Sequence, residues 1–369
     1  MKKIKLIALG DTNIRVHKIA DSLIKVGNDV EVLLLDRKIV NKKDSYVEEN
    51  YKGVPIKRFF CRKKEDTSNY GRLRKNILYA FWFLGFILKL RKYLKTNECD
   101  CIIAQANIGT FAGLMSKKNH TKIIYDMREL YEGRGKKIST ILKIFNKYLI
   151  RKSNYILYLN DKQKSMINPK YYARLVYLPN YASIEHFSNI KKTPSSKIRI
   201  GYIGCPRDYL SLSNLILASQ KYCDSIEIFI HGIGDAYEKL KLLEKEYDNL
   251  KVTGVYDGIK DSEKLYQNID LLFCGYDINN INWKNAIAVK YYESLITLTP
   301  VMVFDDSKMG ELTKENNNGI LVKSNSILDF EKALGQINKS KLKEFTNNIK
   351  PIQFNFTWEK IIENLYQII

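Results

Sequence analysis

The chain has 369 residues, more than one ordinary hydrophobic core accommodates, so two domains are expected. Apolar residues make up 45% and charged residues 27% of the sequence, which is typical of a globular protein, and no apolar run is long enough for a membrane-spanning helix. The short apolar run after Met1-Lys2-Lys3 ends at Asp11 without a small-residue cleavage site. We interpret it as a first strand and not as a signal peptide, and we expect a cytoplasmic protein.

The net charge of +21 is concentrated in the first half of the chain. Residues 1–190 contain 38 Lys and Arg against 17 Asp and Glu, whereas residues 191–369 contain 23 of each. A general drift toward lysine would affect both halves, so the asymmetry indicates a basic half that faces an anionic partner. A bilayer surface and a lipid-linked phosphate are favoured over a nucleic acid.

In chain order, short runs of Ile, Val and Leu alternate with longer helical patterns in the first half. The predicted strands are Lys5–Leu9, Glu31–Leu35, Cys101–Gln105, Lys122–Tyr125 and Tyr155–Leu159. The predicted helices are Ile14–Val26, Lys75–Lys95 and Ile138–Lys152. This alternation favours a parallel sheet covered on both faces.

Two of these helical patterns bear on a membrane contact. Ile77–Leu90 is apolar on nearly every side and has basic residues at both ends, which fits either a buried helix or a membrane-surface helix. In the second pattern one face is expected to pack on the domain and the other to meet solvent or anionic lipid. The packed face comprises Ile138, Ile141, Leu142, Phe145 and Leu149, and the basic face Lys136, Lys143, Lys147 and Arg151.

The alternation starts again in the second half. The predicted strands are Ile198–Ile203, Glu227–Ile230, Lys251–Val255, Asp270–Phe273 and Val301–Phe304, and the predicted helices are Leu210–Tyr222, Ala236–Tyr247, Asp261–Gln267 and Ala286–Leu298. The polar segment Ser183–Lys197 has the composition of a linker. We therefore predict an α/β protein of two tandem doubly wound Rossmann-like domains, residues 1–182 and 198–350, with ligands in a cleft between them. Residues 351–369 are predicted to form a C-terminal helix that packs back on the first domain.

The six cysteines form no C-x-x-C pair, and no histidine lies at metal-ligand spacing from them. We interpret them as reduced, mostly buried apolar residues, and no metal site is predicted. Asp305-Asp306 follows a predicted strand, but a metal-binding role is not expected there. The cysteines are Cys61, Cys99, Cys101, Cys205, Cys223 and Cys274.

Five segments carry a family resemblance. They are Arg15-Val16-His17-Lys18, Tyr125-Asp126-Met127-Arg128-Glu129-Leu130, Leu178-Pro179-Asn180-Tyr181, Ile200-Gly201-Tyr202-Ile203-Gly204, and Val289-Lys290-Tyr291-Tyr292-Glu293 followed by Thr299-Pro300-Val301. The second resembles a Y-D-x-[HR]-E-L segment, and the last resembles a P-x-K-x-x-E-x-x-x-x-G-x-P-V signature. In this order and spacing they resemble glycosyltransferase family 4 (group 1), a retaining family with the GT-B fold.

The sequence departs from the family pattern at three places. Ala286 stands where the first glutamate of the E-x7-E pair is expected, Gln105 and then Asn107 follow the third strand where relatives have a histidine, and Thr299 replaces a glycine. These departures indicate a divergent subgroup.

The resemblance implies transfer of a sugar from a nucleotide-diphosphate sugar, with a slight preference for UDP, to a lipid-linked or polysaccharide acceptor. It implies retention of the anomeric configuration and no required cofactor or metal, whereas the expected place in cell-surface glycan synthesis follows from the charge asymmetry. The charge asymmetry adds an expected peripheral contact with the anionic inner face of the cell membrane.

On the donor side, a departing diphosphate needs cationic side chains or helix N-termini if no metal serves. Arg207, after the strand that ends at Gly204, and Lys290 are the predicted catalytic cations. Glu293 follows Lys290 on the same helix face and, by the resemblance, accepts hydrogen bonds from ribose hydroxyls. Val255 and Tyr256 resemble the segment that holds the base, and Gly232 is expected in a tight strand-to-helix turn near the donor.

On the acceptor side, the turn Gly10-Asp11 is expected to bring backbone N–H groups to a ligand phosphate. Asp126, Arg128 and Glu129 follow a predicted strand and are expected to face the cleft. Asp126 either positions the acceptor hydroxyl as a third catalytic residue or caps a helix.

Two other functions remain open at this point. A sugar-nucleotide epimerase has the same two-domain architecture but needs no acceptor, so product analysis separates the two. A nucleic-acid-binding protein fits the basic half, but the sequence holds no recognised binding motif and no aromatic stacking stripe.

Overall fold

The computed structural model describes residues 1–10, 14–36, 46–60, 71–128, 136–187, 190–258, 260–276 and 281–369. The chain divides into two compact units, residues 1–180 with 361–369, and residues 181–360. The segment 183–197, predicted as a linker, falls within the second unit.

The first unit is built on a sheet with the strand order β3-β4-β2-β1-β5-β6-β7-β8. Its strands are β1 (Lys3–Leu9), β2 (Asp29–Asp36), β3 (Tyr46–Tyr51), β4 (Val54–Phe60), β5 (Cys101–Gln105), β6 (Lys122–Asp126), β7 (Tyr155–Tyr158) and β8 (Leu175–Tyr177). Every described pairing is parallel except that of β3 with β4. The central strands β1 and β5 are apolar and buried along most of their length because helices cover both faces.

The helices of this unit are α1 (Ile14–Lys25), α2 (Arg72–Thr96), α3 (Ala106–Ser116), α4 (Lys136–Lys152) and α5 (Asp161–Ser165), with a 3₁₀ helix at Pro169–Arg174. Helices α2, α3 and α4 lie side by side in one layer. Phe111 of α3 packs against Phe83 of α2 at 6.2 Å and Phe145 of α4 at 5.4 Å between ring centroids. In the described part of the chain, no helix has the length and hydropathy that a bilayer crossing requires.

The second unit contains a fully parallel sheet with the order β11-β10-β9-β12-β13-β14. Its strands are β9 (Ile198–Ile203), β10 (Ile226–His231), β11 (Leu250–Thr253), β12 (Leu271–Phe273), β13 (Val301–Phe304) and β14 (Gly319–Val322). The chain moves outward from β9 in one direction through β10 and β11, and then in the other through β12. The switch point of this doubly wound sheet therefore lies between β9 and β12.

Helices lie between and after these strands. They are α6 (Tyr209–Ser219), α7 (Tyr237–Leu243), α8 (Ser262–Gln267), α9 (Ile281–Lys284), α10 (Val289–Ile296), α11 (Lys308–Asn316), α12 (Ile327–Leu334), α13 (Lys339–Ile349) and α14 (Trp358–Ile361), with 3₁₀ helices at Ile184–His186, Gln220–Tyr222 and Lys350–Ile352. Side-chain N-caps fix several starts, for example Asp208 for α6 and Ser307 for α11.

The C-terminal segment is two short helical turns and not the single helix predicted. Helix α14 is followed by α15 (Glu363–Tyr366), and Ile362 separates them. Residues 361–369 belong to the first unit. There Asn364 Nδ2 donates to the Tyr177 carbonyl at 3.0 Å, and the Tyr366 hydroxyl donates to the Ser22 carbonyl at 3.1 Å.

The predicted face assignment of α4 was wrong at one residue. Ile141 was assigned to the packed face but is exposed, as is Ile144. Helix α2 buries one side in the core and exposes the other. Phe86, Leu90 and Leu94 are buried, whereas Phe81, Leu84 and Leu88 point outward.

Candidate donor site

Four neighbouring strand ends and one helix start lie along the carboxyl edge of the second sheet, on both sides of its switch point. The chain turns at Gly204 after β9, at Gly232 after β10, at Gly254 after β11 and at Cys274 after β12, and α10 begins nearby. Parallel strands place their carboxyl ends on one edge of the sheet, where ligands of doubly wound folds bind. This edge is the candidate donor site.

The turns after β9 and β10 pack directly against each other. Gly204 has a φ of +137° and Gly232 a φ of +122°, values that L-residues rarely adopt. A Cβ on Gly232 would collide with the Gly204 carbonyl oxygen and would lie 3.4 Å from the Tyr256 ring. The close approach of the two backbones therefore requires glycine at position 232. The ring of Tyr256 packs against the same turn.

Lys290, the second residue of α10, extends its side chain into this edge. It is only 7% exposed, and its Nζ lies 3.5 Å from the Tyr202 ring centroid and 5.4 Å from that of Tyr276. Among the described residues, no carboxylate or other hydrogen-bond acceptor is paired with its ammonium. A Cβ on Gly204 would lie 3.8 Å from Nζ, which places the cation at the glycine turn. Aromatic faces stabilise a cation without neutralising it, so this charge is available to an anion.

Glu293 lies one turn further along α10 and is held by a tyrosine that the sequence analysis missed. The Tyr266 hydroxyl donates to Glu293 Oε2 at 3.0 Å and contacts the Lys290 carbonyl oxygen at 3.2 Å. Burial raises the pKa of Tyr266 well above its usual value, and the Glu293 carboxylate raises it further, so the hydroxyl stays protonated. Tyr266 thus fixes both residues of the Lys290–Glu293 pair. Only its position in a helix pattern was visible in the sequence.

The tyrosines around Lys290 remain neutral hydrogen-bonding groups. Burial raises the pKa of Tyr276 to about 12, against a smaller opposing effect of Lys290. Burial likewise raises the pKa of Tyr202 and of Tyr256. The Tyr202 hydroxyl donates to the Cys205 carbonyl at 2.9 Å, which ties the ring to the first glycine turn. Because these rings are neutral, none of them cancels the positive charge of Lys290.

Arg207 occupies a different environment from Lys290. It is exposed, and a hydrogen bond to Cys205 is the largest effect that raises its pKa, with Asp235 contributing less. Gly234 packs against Pro206 and Cys205, the two residues before Arg207, at the turn that leads into α7. The structure brings Lys290, Glu293, Gly204, Gly232 and Tyr256 together, while Arg207 and the 83%-exposed Val255 lie at the solvent side.

His231, the last residue of β10, is a buried neutral imidazole next to the Gly232 turn. Its Nδ1 is 2.7 Å from Thr253 Oγ1, and burial lowers its pKa to about 4. At neutral pH it adds no charge beside Lys290.

At the carboxyl edge of the first unit's sheet, the buried carboxylate of Asp126 is neutralised by Arg15. Asp126 ends β6 and is 2% exposed, and both its carboxylate oxygens accept hydrogen bonds from Arg15, the shortest at 2.8 Å from Nη2. The side chain of Arg15 is fully buried in this ion pair. The structure thus gives Asp126 a partner in Arg15 that neither the acceptor-hydroxyl nor the helix-cap prediction included.

The other acceptor-side predictions are only partly described. Gly10 has a φ of +86°, and its N–H donates to the Leu35 carbonyl at 2.9 Å. That bond belongs to the fold, and the next residues of the turn, whose N–H groups were expected to approach a phosphate, lie outside the described residues. Arg128 is half-buried two residues beyond β6. Asp11 and Glu129 lie outside the described residues.

No group of three or more His, Cys, Asp or Glu side chains within the described ranges is arranged to hold a metal ion. Cys99, Cys101 and Cys274 are buried free thiols, whereas Cys205 and Cys223 are exposed. Cys61 lies outside the described residues.

Comparisons with known proteins identify the architecture. Residues 183–351 match the family model of glycosyl transferases group 1. Sucrose-phosphate synthase from Thermosynechococcus elongatus superposes with a TM-score of 0.75 at 13% identity, covering 100% of this chain and 98% of that one. Anabaena HepE in complex with UDP and glucose superposes at 0.72 and 13%, covering 100% and 99%. WaaG, a glycosyltransferase involved in lipopolysaccharide biosynthesis, superposes at 0.67 and 13%, covering 99% of each chain.

No protein of curated function matches the sequence. The solved structures confirm the predicted GT-B fold over the full chain, and the family match covers the unit that holds Lys290 and Glu293. Residues 183–351 thus resemble the glycosyl transferases group 1 family, and the chain is a glycosyltransferase with the GT-B fold.

Proposed function

We propose that the chain transfers a sugar from a nucleotide-diphosphate sugar, with UDP as the first candidate, to a lipid-linked or polysaccharide acceptor in cell-surface glycan synthesis. The observation that carries this proposal is the Lys290 ammonium, which is buried against two tyrosine faces and has no anionic partner among the described residues. A buried, unneutralised cation at a glycine turn is suited to a diphosphate.

Each residue of the donor site has a role in this proposal. Lys290 compensates the negative charge that grows on the diphosphate as the bond to the anomeric carbon breaks. Glu293, oriented by the Tyr266 hydroxyl, accepts hydrogen bonds from the ribose hydroxyls. Gly204 and Gly232 allow the backbone to approach the ligand closely, and Tyr256 borders the base. Arg207, exposed at the neighbouring turn, adds positive charge at longer range.

The reaction balances without a further reagent. The bond between the anomeric carbon and the diphosphate oxygen breaks, the acceptor hydroxyl oxygen bonds to the anomeric carbon, and the hydroxyl proton leaves with the nucleoside diphosphate. We propose retention of configuration, on the family resemblance alone, and peripheral attachment of a cytoplasmic enzyme to an anionic membrane, on the charge of the first half. HepE with UDP and glucose supports the donor class, and the lipopolysaccharide role of WaaG supports the cell-surface context.

The test is thermal unfolding of the wild type and of Glu293→Ala with UDP, GDP, ADP and CMP at millimolar concentration. A ligand that binds only the folded state adds about 2.7 kcal/mol at a hundredfold excess over its dissociation constant. We expect a shift with one nucleoside diphosphate that is lost in the variant. Equal shifts in both proteins, or none with any nucleotide, would contradict the donor site.

A second measurement separates transfer from epimerisation. The matching nucleotide sugar is incubated with and without a membrane extract, and the products are analysed by NMR. Transfer predicts nucleotide release only with an acceptor, and retention predicts the donor's anomeric configuration in the product. A changed sugar that is still attached to the nucleotide would instead establish the epimerase.

A further inference from the structure

The outward surface of the α2–α3–α4 layer carries an apolar stripe that the sequence did not resolve. Ile77, Phe81, Leu84 and Leu88 on α2 are 49% to 69% exposed. Their spacing of four, three and four residues places them in one row along the helix. The helix buries its opposite side in the core, so the stripe is not needed for packing.

The stripe continues onto the neighbouring helices. Ile108 and Met115, seven residues apart on α3, are partly exposed, and Ile141 and Ile144 on α4 are among the more exposed apolar side chains of the protein. Because α2, α3 and α4 pack side by side through Phe83, Phe111 and Phe145, these residues share one layer. Contiguous exposed apolar patches mark interaction surfaces.

Basic residues border this stripe, and neither α2 nor α4 contains an acidic residue. The sequence of α2 contains seven Lys and Arg and no Asp or Glu, and α4 contains six and none. At the same spacing, Arg91 and Lys95 continue the apolar row of α2 beyond Leu88, and Arg74 lies before its first residue, Ile77. Arg91, Lys92 and Lys95 make no hydrogen bond or ion pair with the described residues.

We infer that this face docks on an anionic phospholipid bilayer. It consists of Ile77, Phe81, Leu84, Leu88, Ile141 and Ile144 with the cations around them. Helix α2, about 37 Å long at 1.5 Å per residue, lies in the plane of the interface. Its apolar row enters the acyl boundary, and the cations at both ends meet lipid phosphates.

A second copy of the chain fits this surface less well. A symmetric contact through the α2 row would bring Arg74, Arg91 and Lys95 against the same cations of the other copy, in parallel or antiparallel register. Neither α2 nor α4 offers a carboxylate to neutralise them. Charge complementarity therefore favours lipid phosphate over self-association.

The inference deepens the proposed function, because a lipid-linked acceptor lies in such a membrane, but its test reads binding alone. Nucleotide-free protein is floated with vesicles of phosphatidylcholine, or of phosphatidylcholine mixed with phosphatidylglycerol, whose negative surface potential attracts basic segments. Three proteins are compared: the wild type, Phe81→Gln/Leu84→Gln, and the matched control Leu242→Gln/Leu328→Gln. The control side chains, in the second unit, are each 59% exposed.

We expect the wild type and the control to bind the anionic vesicles at least roughly tenfold more tightly than the neutral ones, and the stripe variant to lose roughly tenfold in affinity. Arg91→Gln/Lys95→Gln should reduce the preference for anionic lipid. The inference is overturned if the wild type floats with neither vesicle, or if the stripe variant binds as well as the control. It is also overturned if light scattering shows a dimer that the stripe variant dissociates.

The nucleotide-induced thermal shift, measured on the same stripe variant, keeps the two proposals separate. A preserved shift with lost vesicle binding supports the docking face. A shift absent from the wild type while vesicle binding persists removes the donor proposal and leaves the docking face standing.

Discussion

Each of the two units buries a cation at the carboxyl edge of its sheet, and the two cations differ in whether a carboxylate is paired with them. Arg15 in the first unit is fully buried in a paired geometry with Asp126. Lys290 in the second unit is nearly as buried but has tyrosine faces in place of a carboxylate. A buried charge costs several kcal/mol unless it is compensated, and among the described residues the Arg15 charge is compensated by a carboxylate whereas the Lys290 charge is not.

The difference matches two kinds of ligand. An edge whose buried cation is paired with a carboxylate is suited to a neutral sugar or hydroxyl, whereas an edge with an unpaired buried ammonium is suited to a diphosphate. In this interpretation the Asp126–Arg15 pair stabilises the fold, whereas Lys290 takes part in the transfer reaction. Substitutions at the two edges test this division.

Asp126→Asn should destabilise the protein most. The change leaves the guanidinium of Arg15 buried without its counter-charge, and breaking a buried pair in this way costs about 3–5 kcal/mol. Urea denaturation monitored by circular dichroism measures the loss. Arg15→Met/Asp126→Leu, which removes both charges, should recover most of it. A stable but inactive Asp126→Asn would instead establish the acceptor-hydroxyl role.

Lys290→Met should have the reverse profile, with lost activity and preserved stability. Methionine keeps the length of the buried stem and removes the charge, so transfer should fall by roughly 10²–10³-fold. The midpoint of thermal unfolding should stay or rise because an uncompensated buried cation is gone. The matched control is Lys284→Met, a partly exposed lysine paired with Asp306. Transfer within threefold of the wild type would remove Lys290 from the mechanism.

Tyr266→Phe tests whether Glu293 needs its hydrogen-bond donor. Loss of one hydrogen bond to a charged group costs about 1.5 kcal/mol, so the dissociation constant of the nucleotide should rise roughly tenfold. Calorimetric titration measures the change. Tyr291→Phe, which removes another buried hydroxyl with longer contacts to Asn318 and Thr313, should leave nucleotide binding unchanged. Equal weakening by both substitutions would assign the effect to general packing.

The smallest effect concerns Cys205, an exposed thiol at the turn after β9. A bound nucleotide should slow its alkylation several-fold, because Cys205 adjoins the Gly204 turn that is expected to face the diphosphate. Cys223, also exposed but at the other end of α6, is the internal control. Mass spectrometry of the labelled peptides gives both rates. Equal protection of the two thiols would point to a global change and not to a ligand at this turn.

Much of the fold could be predicted from periodicity. Buried parallel strands such as Ile198–Ile203 and Val301–Phe304 were predicted with their observed ends, because an apolar run bounded by polar residues defines a strand covered on both faces. The β3–β4 hairpin was missed because β3 is polar and exposed at the sheet edge, and β4 contains Pro55.

The donor site could be predicted only in part. Lys290 and Glu293 share a helix, so their spacing placed them on one face. Tyr202, Tyr266 and Tyr276 complete the site from other elements, and nothing local distinguishes them among the 25 tyrosines of the chain. The Arg15–Asp126 pair joins residues 111 positions apart, which no periodicity shows. The α2 stripe was hidden because an apolar residue looks the same in the sequence whether it faces the core or the outside.

The ring of Tyr202 beneath Lys290 also makes the site a natural optical probe. An ammonium 3.5 Å from the ring centroid imposes a strong electric field on the aromatic system. An arriving anion that draws the ammonium aside would change that field, and with it the near-ultraviolet absorption of the tyrosine. Donor binding would then be followed by difference spectroscopy on the unlabelled protein, and Lys290→Met would provide the silent reference.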